Sequence, residues 1–240
     1  MSLSRRQFLK SAGPVVATGA AAGVALAQTS SYPKGIDVSR WQLNVNWTSV
    51  KASGRTFAFC KANDGNTGKD PYFEQNWPAM KAAGLIRGAY HFARPNTSAI
   101  AQADAFFKIV KPTRGDLQLV VDLETADGQN AATIWAWTQA FVTRIKERTG
   151  RPCIIYTGFY FWRDVMGNPS SNLNCPLWLP SYSVTDPANL LVPAAWSTWS
   201  FWQHSSTGSV PGITGNVDLD YFNGTLSQLQ ALGLPSNYRP

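Results

Sequence analysis

Asp122 and Glu124 close the stretch Leu117-Gln118-Leu119-Val120-Val121-Asp122-Leu123-Glu124, with one leucine between them. The first five residues are mostly apolar and end in two β-branched valines. That predicts a strand buried on both faces, as in a parallel sheet. Residues i and i+2 of a strand share a face, and their backbones lie about 6.6 Å apart at roughly 3.3 Å per residue. Two carboxyl groups at that spacing can meet one sugar ring or one metal ion. A strand end running into an acidic turn uses the same residue types, and Thr125-Ala126-Asp127-Gly128 reads as such a turn.

Short apolar runs ending in a polar or aromatic residue recur along the chain. They predict strands at 35–39, 56–61, 86–92, 117–124, 153–157, 177–182, 200–204 and 217–222. Helices are expected over 72–83, from the Ser98 cap to Val110, over 133–148, around 159–166 and over 226–232. Strands alternating with helices or loops imply a parallel sheet. In about 210 residues the pattern fits an irregular (β/α)8-type, TIM-like barrel in a single domain, with a doubly wound open sheet as the alternative. Several connections are too short or too rich in Pro and Gly for a full helix. Barrel enzymes place their chemistry at the C-terminal strand ends. Those ends carry Asp37, Asp64, Tyr90, Phe92, Asp122, Glu124, Tyr156, Tyr182, Trp202 to His204, Asp218 and Asp220.

The first 27 residues read as an export leader. Arg5-Arg6 precedes Phe8-Leu9-Lys10, an Ala/Gly-rich run follows, and Ala25-Leu26-Ala27 is a small-x-small cleavage site. The paired arginines resemble a twin-arginine signal, which a receptor reads and which is not an anchor. The mature protein is expected over 28–240, secreted or periplasmic, with no membrane attachment after cleavage. Residues 1–27 hold three basic groups and no acidic ones, so the formal charge falls from +7 to +4. That modest positive charge, without a basic cluster, suits an anionic cell-surface polymer better than nucleic acid. Ten tryptophans and eight tyrosines against 15% charged residues fit an aromatic-lined cleft. Three cysteines leave at least one free thiol in a monomer. Cys60 lies in an apolar run. Cys153 and Cys175 each precede a predicted strand and could pair. No Cys/His spacing resembles a zinc site and no glycine-rich phosphate loop is present, so neither metal nor cofactor is expected.

The strand ends resemble those of the glycoside hydrolase family 25 lysozymes, the Chalaropsis-type muramidases. The matching segments are Gly35-Ile36-Asp37-Val38-Ser39 with Trp41-Gln42, Phe59 to Gly65, Gly88-Ala89-Tyr90-His91-Phe92 and Val121-Asp122-Leu123-Glu124. Ile155-Tyr156-Thr157, Leu177-Trp178, and Trp202-Gln203 with Gly208, Gly212 and Val217-Asp218 complete the ordered set. The resemblance implies an irregular (β/α)8-type barrel that hydrolyses the β-1,4 bond after N-acetylmuramic acid in peptidoglycan. Peptidoglycan glycan strands are the expected partner, met by a monomer. It implies Glu124 as general acid/base, Asp122 as partner carboxylate, and Asp37 and Asp218 completing an acidic ring. Tyr90, Phe92, Tyr156, Trp178, Tyr182 and Trp202 would line the glycan groove, with Asp64 as a distal contact. Asp64 stands where the family usually has glutamate, and Pro180 where it usually has alanine.

Glycoside hydrolysis needs a proton donor and a negative group beside an oxocarbenium-like centre. A donor must stay protonated near neutral pH, and Glu124 crowded by Asp122 and Asp218 meets that demand. The i, i+2 spacing leaves no room for a water between the pair, so net retention is expected. Structural roles are expected for His91, His204, Trp135 and Trp137, and a solvated turn for Asp220. A chitinase-like enzyme would usually carry the longer motif Asp-x-x-Asp-x-Asp-x-Glu, whose spacing this chain lacks. A non-catalytic wall-binding protein would not need the intact acid pair.

Overall fold

The structure, a computed structural model, describes residues 32–239. The leader and its cleavage site at 27 lie outside the described residues. Eight strands close a barrel: β1 (Lys34–Val38), β2 (Phe57–Asp64), β4 (Ile86–Phe92), β5 (Val120–Asp122), β6 (Ile154–Tyr156), β7 (Leu177–Pro180), β8 (Phe201–Gly208) and β9 (Val217–Phe222). The order is β1-β9-β8-β7-β6-β5-β4-β2, closed by β1 pairing with β2. A two-residue strand, β3 (Gly68–Lys69), folds back on the end of β2 as a hairpin.

The expected all-parallel arrangement is corrected at the last strand, because β9 runs antiparallel to both β1 and β8. Only residues 209–216 separate β8 from β9. A parallel crossover needs a dozen or more residues, whereas an antiparallel return does not. The remaining connections carry α1 (Trp47–Ala52), α2 (Phe73–Ala82), α3 (Ala99–Val110) and α4 (Ala131–Thr149), and α5 (Leu226–Ala231) follows β9. A single π turn, Phe161–Val165, and a 3-10 turn, Pro187–Asn189, replace helices around β7.

Helices α3 and α4 start at side-chain caps. Ser98 accepts from the Ala101 N–H and Asn130 from the Thr133 N–H. The Asn130 cap starts α4 two residues before the expected Thr133. The expected strand 117–124 is shorter in the ladder. The Leu117 N–H donates to the Arg87 carbonyl and the Gln118 N–H to the Leu232 carbonyl.

Strand alternation sorts the apolar side chains into two layers. Phe57, Phe59, Tyr90, Val120, Ile154, Tyr156, Trp178, Phe201 and Phe222 fill the barrel interior. Ile36, Val38, Val121, Ile155, Leu177, Leu179 and Trp202 face outward into the layer shared with the helices. Phe59 stacks on Trp178 across the interior at 4.4 Å between centroids. The Phe59 ring occupies the space a Cβ at Gly88 would need, and Phe57 does the same at Gly35. Those two glycines therefore make room for aromatic packing rather than for a turn.

The expected Cys153–Cys175 bridge is absent: Cys60, Cys153 and Cys175 are all free and buried. Ile155 pairs with Leu177, so the two cysteines sit two residues before partnered positions. The Cys175 thiol donates to the Leu173 carbonyl at 3.7 Å. Burial pushes the Cys175 thiol up to about 12 and raises the other two well above the ordinary range.

Candidate active site

The mouth of the barrel is formed by the C-terminal ends of the parallel strands and the start of the reversed β9. Asp122 is the last residue of β5 and is fully buried. Phe92 of β4 and Tyr156 of β6 pair with it from either side. Beyond the strand the chain stays tethered. The Leu123 N–H donates to the Tyr156 carbonyl at 2.9 Å, and the Ala93 N–H to the Asp122 carbonyl at 2.9 Å. Leu123 is buried in the outer layer. Glu124 follows two residues beyond the end of β5, outside the ladder, and is half-buried.

Asp37 near the end of β1 and Asp218 near the start of β9 are direct cross-strand partners. Asp37 is fully buried and Asp218 half-buried. Asp220, read from sequence as a solvated turn residue, is corrected: it is buried one step deeper and accepts from Trp178 Nε1 at 2.9 Å. The antiparallel run of β9 carries its inward face down into the barrel, which places Asp220 below Asp218.

Gln203 on β8 is a hub that the spacing argument did not single out. Its Nε2 donates to Asp37 Oδ2, while its Oε1 accepts from Tyr156 Oη at 2.9 Å and Tyr182 Oη at 2.6 Å. One buried amide thus couples an acidic residue to two tyrosines and fixes all three side chains.

The aromatic residues divide by depth. Trp202 is corrected: it alternates with Phe201 and Gln203, faces the outer layer at 2% exposure, and donates to the Ser181 carbonyl. It does not line the mouth. Tyr90, Tyr156 and Trp178 belong to the buried interior and form the floor. Tyr182 is half-buried at the rim. Phe92 lies beneath two cations, with Lys61 Nζ and Arg94 Cζ each 4.6 Å from its centroid. Trp41, on the 3-10 turn after β1, is 66% exposed, with the Arg40 guanidinium 5.0 Å from its ring. Its exposure is set by the turn, which alternation could not foresee.

Asp64 ends β2 and is held by Lys61 Nζ at 3.1 Å and Arg94 Nε at 2.6 Å. Burial pushes the Asp64 carboxyl up, but these two cations more than offset that and hold it below its ordinary value. Arg94 also reaches Asp127, in the turn after Glu124, at 3.2 Å. His91 and His204 have structural surroundings. His91 is buried between Asn63 and Gln102, and burial pushes its imidazole down to about 4. His204 stacks on Tyr221 at 4.2 Å. Among the described residues no group of three or more His, Cys, Asp or Glu side chains could hold a metal ion.

Residues 36–213 match the family described as Glycosyl hydrolases family 25. Lysozyme M1 of Streptomyces globisporus is 40% identical over 214 residues, covering 85% of this chain and 72% of its own. The N,O-diacetylmuramidase of a Chalaropsis species is 32% identical over 213 residues, covering 83% of this chain and 98% of its own. The crystal structure of the bacterial lysozyme from Streptomyces coelicolor superposes with a TM-score of 0.79 at 40% identity, over 84% of this chain and 97% of that one.

Proposed function

The chain belongs to glycosyl hydrolase family 25, and on that premise we propose that it is a lysozyme. The bond cleaved is the β-1,4 linkage between N-acetylmuramic acid and N-acetylglucosamine in peptidoglycan. The observation that carries this reading is the acid pair: Asp122 at the end of β5 and Glu124 two residues beyond it, in a mouth that also holds Asp37 and Asp218.

Glu124 donates its proton to the glycosidic oxygen as the bond to the anomeric carbon breaks. Asp122, on the same side, accepts a hydrogen bond from the N–H of the substrate's 2-acetamido group. The acetamido oxygen closes on the anomeric carbon as positive charge develops there. Glu124, now a carboxylate, takes a proton from water, and that water opens the ring with net retention. Asp122 is the orienting group rather than the direct nucleophile, because it and the donor approach from one strand face. Asp37 and Asp218 supply negative charge beside the oxocarbenium-like centre. Tyr182, Phe92 and Asp64 contact the glycan along the rim. Side chains fill both chemical roles, so the reaction calls for no cofactor. The protein acts as a monomer after export through the twin-arginine leader.

Mass spectrometry of digested peptidoglycan tests the reading. N-acetylmuramic acid at the new reducing end is expected, and N-acetylglucosamine there would overturn it. Replacing Arg5 and Arg6 by lysine should block export, and undiminished secretion would remove the twin-arginine route. Following the anomeric proton by NMR should show the β-anomer first.

A further inference from the structure

A second feature opens on the rim beside the acid pair. It is a pocket of about 290 Å³ lined by Arg40, Lys61, Lys69 and Arg94, with Asp64 and Asp70. Its residues come from the turn after β1, the β2–β3 hairpin and the segment after β4, all at the mouth end of the barrel. Four cations face two carboxylates, and both carboxylates are already engaged. Asp64 is bridged by Lys61 and Arg94. Asp70 is buried and accepts from the backbone N–H groups of Arg40 and Tyr72. Lys69 contacts Glu74, which lies outside the pocket and is 80% exposed. The lining itself thus holds four cations against two carboxylates, while Glu74 on Lys69 and Asp127 on Arg94 lie outside it.

The pocket adjoins the proposed catalytic mouth in a measurable way. Asp64 pairs with Phe92, and Phe92 with Asp122. Two strand spacings separate pocket and acid, about 10 Å. Arg94 spans the join, with Asp64 on one side and Asp127 of the post-Glu124 turn on the other. Trp41, exposed beside Arg40, offers a flat apolar face at the same rim.

An aromatic platform next to a cationic pocket suits a sugar that carries an acid. Resting on the muramidase reading, we infer that this pocket seats a free carboxylate of the peptide borne by muramic acid, on a sugar neighbouring the cleaved bond. Arg40 and Lys69 are the groups that recognise it. The pocket thereby makes the enzyme prefer peptide-bearing glycan over bare glycan.

The test compares initial rates on soluble peptidoglycan glycan with its peptides and on the same glycan stripped of peptides by an amidase. Wild type is expected to show the lower KM on the peptide-bearing form. The Arg40→Gln/Lys69→Gln variant should raise that KM at least about tenfold, since each of the two charge-assisted hydrogen bonds lost is worth roughly that factor. Its kcat and its KM on stripped glycan should stay within twofold of wild type, and its thermal midpoint should be unchanged. Equal wild-type KM on both glycans, or a variant that weakens both alike, overturns the assignment. A third arm uses walls with and without covalently attached phosphate polymer. A KM difference that follows the phosphate rather than the peptide also overturns it. If wild type cleaves neither glycan, the muramidase reading fails; if it cleaves both with equal KM, only the pocket assignment does.

Discussion

Glu124 and Gln203 mark the two ends of what single residues disclose. Glu124 is proposed as the acid from its place two residues beyond another carboxylate, after an apolar stretch ending in two valines, a pattern that a strand end running into an acidic turn shares. Glu124→Gln keeps the shape and removes the proton. Activity on peptidoglycan should fall by about 10² to 10⁴, with an unchanged melting temperature; a loss of only a few-fold would remove Glu124 as the acid. Gln203 reads in sequence as one more polar residue on a strand. Its importance lies in partners far along the chain, Asp37, Tyr156 and Tyr182. Gln203→Leu takes the amide from buried Asp37 and Tyr156 and from half-buried Tyr182, and the loss of a buried polar partner costs about 1–3 kcal/mol. Chemical denaturation should show that loss together with reduced activity. Trp202 and Trp178 show the same limit from another side. Both are tryptophans at strand ends, and only the register decides that one faces the helices and the other the floor.

At the scale of elements, strand and helix positions follow from the apolar runs and caps, and β4 (Ile86–Phe92) and β9 (Val217–Phe222) occupy the expected spans. Strand direction was not legible for β9, because an apolar run reads alike in either sense. Only the short link 209–216 carries the information. The glycines of β1 and β4 were visible as motif positions but not as packing devices, since their partner rings lie on other strands. Gly88→Ala would push a methyl group into the Phe59 ring. Overpacking of this kind costs about 1–3 kcal/mol, and the melting temperature should fall accordingly. An unchanged midpoint would mean that the Phe59–Trp178 stack relaxes freely.

For the whole molecule, acid sensitivity follows from a histidine the proposed reaction does not use. Burial holds the His91 imidazole down at about 4, while the unfolded chain takes up that proton near the ordinary value of 6.5. The unfolded state therefore binds more protons throughout that window. Through His91 alone, stability should be level above pH 6.5 and fall by about 1.4 kcal/mol per pH unit toward pH 4, about 3 kcal/mol from this residue. His204, also pushed down to about 4 by burial and by Arg55 and Lys34, acts in the same direction. Melting curves between pH 7.5 and 4 check this, with His91→Asn flattening the slope; an equal slope in the variant would assign it to other groups.

Barrel closure has a consequence for when the protein can begin to work. β1 has one neighbour close by in the chain, β2, and another at the far end, β9. The bond from Gln203 to Asp37 spans 166 residues. At synthesis rates of about 5–20 residues per second, β1 waits many seconds with an open edge, whereas β8 waits only about one to three seconds for β9. Exposed edges invite pairing between chains. A chain ending at Gly208 should therefore accumulate as insoluble aggregate, which sedimentation after expression would show, whereas the full chain stays in solution. Asp37 gains its partner Asp218 only when the last strand slots in. The acidic ring is thus assembled late, and a nascent or clipped enzyme holds its acid pair in a mouth that has not yet closed.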